Sequence, residues 1–126
     1  RNNFKLNFFQ QPADAEQLIQ DRLRLKTCTD FRLYCENVSA GVKGMLAHPI
    51  KDSLQLLKIP VLIAFGTNDG LIPNKYLHPS LKTGELANQS AAIMRNCKVE
   101  MIPDAGHLVQ FEKSAESNLI IKNFIQ

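Results

Sequence analysis

Two residues of this 126-residue chain are of the right type and setting for acid–base chemistry, Asp69 and His107. Asp69 follows the apolar run Val61-Leu62-Ile63-Ala64-Phe65 across Gly66-Thr67-Asn68, and His107 closes Pro103-Asp104-Ala105-Gly106-His107. A carboxylate that accepts a hydrogen bond from one imidazole nitrogen fixes the tautomer and stabilises the imidazolium, leaving the other nitrogen free as a general base. That pair is two-thirds of an apparatus for nucleophilic catalysis. Each residue also has a plainer reading. Asn68-Asp69-Gly70 is a turn-forming triplet, although Pro73 cuts short any hairpin strand through Leu71-Ile72. His107 reads equally as a solvated loop residue, with Gly106 supplying an unusual backbone angle or a close approach. Asp52 and Asp104 are rival acids, but neither stands immediately beyond a buried strand in the required order. His48 and His78 both precede prolines and read as a helix-end and a loop residue.

The elements that must position the pair follow from periodicity. A helix over 14–26 starts acidic (Asp14, Glu16) and ends basic (Arg22, Arg24, Lys26), complementing its dipole. Ala15, Leu18, Ile19 and Leu23 share one face. Asp30 is an N-cap candidate for a second helix, in which Phe31, Tyr34, Cys35, Val38, Val42, Met45 and Leu46 form an apolar stripe. Gly44 weakens its last turn and Pro49 stops it. Residues 52–59 connect, with a helical turn or two, to Val61–Phe65. That run lacks alternation, which suits a parallel strand buried on both faces. A helix over 83–95 turns Leu86, Ala87, Ser90, Ile93 and Met94 inward. The next strand, over 97–102, alternates Lys98 and Glu100 with apolar residues and has a wetter face. Ser114 is expected to cap a final helix that buries Leu119, Ile120 and Phe124, with Glu112 supporting its amino end. Strands alternating with helices imply parallel pairing through right-handed crossovers. Both candidate residues then leave the carboxyl ends of strands, the edge where open α/β sheets bind ligands.

The stretch Pro60–Pro73 resembles the acid-bearing strand and loop of α/β-hydrolases. Ile102–His107, with Phe111-Glu112-Lys113 and the closing helix, resembles the histidine loop of the same family. Acid before histidine is that family's chain order, with the nucleophile preceding both. The resemblance covers 50–126 as the C-terminal part of the hydrolase core. Residues 1–49 are similar in general character to the helical cap inserted before the acid-bearing strand. It implies an α/β fold, Asp69 and His107 as two members of a triad, and a small-molecule ester or related acyl substrate. It also implies that Leu71, Ile72 and Leu108 line the substrate pocket, although as residues they fit a core equally well. No Gly-x-Ser-x-Gly elbow occurs in the chain, and Ser39 lies within a helical stripe. Nucleophile and oxyanion donors are therefore expected upstream, in a missing N-terminal half, with this chain inactive alone. A start at Arg1 on the apolar run Phe4, Leu6, Phe8, Phe9 and two strands too few for a stable sheet fit that expectation. Relatives with an aspartate nucleophile, such as epoxide hydrolases and haloalkane dehalogenases, share this half. Tyr34 is then a conceivable epoxide donor, though a core tyrosine fits as well. A non-catalytic binding protein on the same scaffold is the third possibility.

Composition narrows the field. The chain is 44% hydrophobic and 21% charged with a net charge of +3, the profile of an ordinary globular domain. No run of Lys or Arg forms a nucleic-acid patch, and no apolar stretch is long enough to span a bilayer. No signal peptide is recognisable. Three irregularly spaced cysteines, Cys28, Cys35 and Cys97, read as reduced thiols, which favours a cytoplasmic setting. The triplets beginning at Asn37 and Asn88 match the glycosylation pattern but fall in expected helices. No Cys, His and Asp spacing resembles a metal site, so neither metal nor cofactor is expected.

Overall fold

The computed structural model describes residues 2–126; Arg1, the first residue of the expected cap segment, lies outside them. In chain order come α1 (Asn2–Lys5), α2 (Ala15–Arg24), α3 (Phe31–Ala47), β1 (Val61–Gly66), α4 (Thr83–Ile93), β2 (Cys97–Ile102), α5 (Val109–Glu112) and α6 (Ser114–Ile125). Single 3-10 segments at Leu25–Thr27 and Lys51–Leu56 follow α2 and α3. The protein is thus a mixed α/β structure with a two-stranded parallel sheet and flanking helices.

The register pairs Val61 with Cys97 and Gly66 with Ile102, so the two strands end level and their loops leave side by side. α4 makes the crossover and packs on both strands, as does α6. Half-buried Leu86, Ile93 and Met94 and buried Ala87 form the inward side of α4, as its spacing predicts. Glu85 accepts a hydrogen bond from Lys82 N at 3.1 Å and so satisfies an amide at the start of α4. On β2, Lys98 Nζ pairs with Glu100 at 2.9 Å, which accounts for charges alternating along this strand. The small core joins Ile102, Ala105 and Val109, with Ile120 packed against it.

Several expectations need correction. β1 is only half-buried over Val61–Phe65; among the described residues β2 is its one strand partner, and its other edge is left open. There Leu54, Leu57, Val61, Ile63, Phe65 and Met94 border a shallow apolar depression of about 370 Å³. The stripe on α3 exists as a pattern, but α3 buries no residue; Met45 and Leu46 are 67% and 68% exposed. Nothing among the described residues covers it. α3 does run through Gly44 to Ala47 and stop before Pro49, as the sequence suggests. Asp30 makes no side-chain cap bond. On α2 the apolar face holds at Ala15 and Ile19, while Leu23 is exposed. Ser114 is the first residue of α6 rather than its cap, since the extra short helix α5 brings the chain into α6 directly. Leu119 is exposed; Ser117 is buried instead, its hydroxyl donating to Val109 O at 3.2 Å.

The largest unforeseen feature is residues 4–10. This segment lies across the two loops at the carboxyl ends of the strands. Phe8 is buried, its ring 5.7 Å from that of Phe4 and 6.0 Å from that of Phe111. Leu108 N donates to Asn7 O at 3.0 Å.

Candidate acid–base site

The site begins with the backbone that zips the two loops together. Thr67 N donates to Ile102 O and Asn68 N to Ala105 O, both at 2.9 Å. That close approach is possible because residue 66 has no side chain. A Cβ there would overlap the carbonyl oxygens of Ala105 and Gly106. Gly106 is needed for the same reason, since a Cβ would come within 2.6 Å of Phe9 N. Gly106 does not supply an unusual backbone angle; the positive φ in this loop belongs to Asp104, at 51°, a position that aspartate tolerates better than most residues.

On this frame the two side chains meet. His107 Nδ1 lies 3.0 Å from Asp69 Oδ2. The other oxygen, Oδ1, accepts from Leu71 N at 2.8 Å and Ile72 N at 2.9 Å. The Asp69 side chain is fully buried and that of His107 is 35% exposed. A buried carboxylate is tolerated only when hydrogen bonds replace its water, and here three do. A carboxylate can only accept, so the shared proton is carried by Nδ1. Nε2, which keeps its lone pair in the neutral ring, has no partner among the described residues. The arrangement is an imidazole oriented by a buried carboxylate, with its second nitrogen left without a protein partner.

The turn reading of Asp69 is thus part of its geometry, because its bonds to the amides two and three residues on are those of an aspartate turn. The turn leaves Oδ2 available to the histidine. Leu71 and Ile72 serve the site through their backbone N–H groups, and their side chains, like that of Leu108, are half-buried. None of the three lines the cleft of about 510 Å³ beside Asp69, which is bordered by Thr67, Lys75, Lys82, Thr83, Asn88 and Met101 among others. The rival acids Asp52 and Asp104 are exposed and make no bond to His107. No hydroxyl or thiol bonds His107 among the described residues.

Glu112 is the site residue whose part is missed from the sequence. Its carboxylate does not serve the start of α6. It accepts from Gly106 N at 2.7 Å, Phe9 N at 3.1 Å and Gln10 N at 2.5 Å. No local periodicity marks such a residue, since two of its partners lie 102 and 103 positions away.

No group of three or more His, Cys, Asp and Glu side chains suited to a metal ion gathers among the described residues. No described helix is long and apolar enough to cross a membrane. Cys28, Cys35 and Cys97 are free thiols. Comparison with family models, curated proteins and solved structures returns no match for the chain.

Proposed function

We propose that this chain carries the acid and the base of an α/β-hydrolase triad, acting on small esters or related acyl substrates. The observation that carries the reading is the 3.0 Å contact between Asp69 and His107, on loops leaving the carboxyl ends of adjacent parallel strands. Asp69 orients His107 and stabilises its cationic form; Nε2 takes a proton from the nucleophile and later delivers it to the leaving group. The nucleophile, a serine in this reading, and the oxyanion donors come from polypeptide outside these residues. That polypeptide would also pair with the open edge of β1 and cover the apolar depression beside it. The 126 residues alone are then inactive. Leu71, Ile72 and Leu108 are proposed to border the acyl substrate, and the helices within residues 1–49 to form part of a cap above it. The chemistry asks for no metal or cofactor, and the free thiols suit a cytoplasmic setting.

Fluorophosphonate labelling of the complete protein, with the adduct located by mass spectrometry, tests this. One labelled serine upstream of this chain, with labelling abolished in His107→Ala, is the expected result. A folded protein without label would turn the assignment toward an aspartate nucleophile, or toward a binding protein on the same scaffold.

A further inference from the structure

His107 is held from two sides by one short segment. On its amino side, Gly106 N donates to Glu112 Oε2, which also accepts from Phe9 N, while Glu112 Oε1 accepts from Gln10 N. On its carboxyl side, Leu108 N donates to Asn7 O. Residues 7–10 therefore bracket the histidine, and Glu112 is the clasp. The absent Cβ of Gly106 lets the segment lie directly on the loop, and the buried Phe8 ring pins it against Phe111. The imidazole itself has a single hydrogen bond, to Asp69. Its placement is consequently inherited from the backbone on either side.

We infer that Glu112 is a positioning residue for His107. It draws residues 7–10 onto the histidine loop and thereby sets the separation of Nδ1 from Asp69. The inference rests on the proposed reading of His107 as the base, but its structural content can be tested apart from activity. Three backbone donors on one carboxylate are charge-assisted bonds, stronger than neutral ones. A catalytic group misplaced by about 1 Å can lose roughly a hundredfold in rate.

The test follows the Nδ1 proton of His107 by NMR in the complete protein, labelled with ¹⁵N-histidine and held well below its melting temperature. In the parent this proton is expected to exchange slowly with water. Glu112→Gln keeps one acceptor oxygen but turns an NH2 group toward the backbone donors. It should speed exchange of the Nδ1 proton at least tenfold, while the Leu71 and Ile72 amides stay as slow as in the parent. Glu112→Asp retains the anion and should restore part of the difference. Phe8→Leu loosens the same segment without touching any hydrogen-bonding group and should speed exchange about threefold. Should Glu112→Gln not fold, Phe8→Leu decides alone. The inference is overturned by an Nδ1 proton that exchanges within twofold of the parent rate in Glu112→Gln, or in Phe8→Leu where only that variant folds. It is equally overturned if the Leu71 and Ile72 amides accelerate in step, which would mean general loosening, or if the parent proton is not protected. Failure of the hydrolase reading looks different: the label is absent while the exchange pattern is intact.

Discussion

The loops that carry Asp69 and His107 are poorer in apolar residues than the long helix α3, yet they are the region that the rest of the molecule holds. Around the pair, backbone bonds join the two loops, glycines permit contact between main chains, and Glu112 binds three amides. In α3 no residue is buried, and both glycines face open space. Its own hydrogen bonds and pairs such as Arg32 with Glu36, 3.5 Å apart and exposed, are what it has. Exposed pairs of that kind contribute little, at most about 0.5 kcal/mol. The difference teaches that an amphipathic stripe states what a helix is able to bury, whereas tertiary contacts decide whether it does.

Two aspartates give the sharpest contrast. In the complete protein, Asp69→Asn should lower turnover by about 10⁴-fold with the fold intact, because an amide orients the wrong tautomer. Asp30→Asn, at the start of α3 and without a side-chain cap bond, should leave turnover unchanged. Steady-state kinetics on the two variants decide, and comparable activities would dissolve the distinction. Glycines extend it to stability. Gly66→Ala forces a methyl group onto two carbonyl oxygens and should cost about 3 kcal/mol, the upper end of overpacking effects, as read by denaturant unfolding. In α3, Gly41→Ala and Gly44→Ala meet nothing within 4 Å. Each should favour the helix by about 0.5–1 kcal/mol, seen as increased helicity by circular dichroism. A destabilising alanine at 41 or 44 would reveal a neighbour that α3 lacks in this structure.

Much of the frame is legible in the sequence. The run Val61–Phe65 becomes β1 with one residue added, and β2 occupies the expected residues 97–102. The unbroken apolar run and the charge alternation are local signals, and strand formation follows them. The Asp69–His107 contact also follows, once consecutive parallel strands are taken to be neighbours. The degree of burial does not. β1 and α3 carry apolar residues enough for covering on more sides than they receive, and periodicity cannot say how many neighbours exist. The four-residue α5 is too short for any pattern to mark. Glu112 and residues 7–10 escape for a different reason, since a side chain accepting from backbone amides a hundred positions away depends on no residue type at the far end.

That separation has a consequence for the order in which the molecule is made. During synthesis residues 7–10 leave the ribosome about 100 residues before Glu112 does, an interval of roughly 5–20 s at ordinary elongation rates. Until then Phe8 has no Phe111 to pack on and Gln10 no carboxylate to meet. Closing a free loop of that size costs roughly 4 kcal/mol beyond a constant term, and less once the pairing of β1 with β2 has shortened it. The histidine would thus be among the last parts of the chain to find its place, and a nascent chain stalled before residue 112 would present Asp69 without a clasped His107 loop.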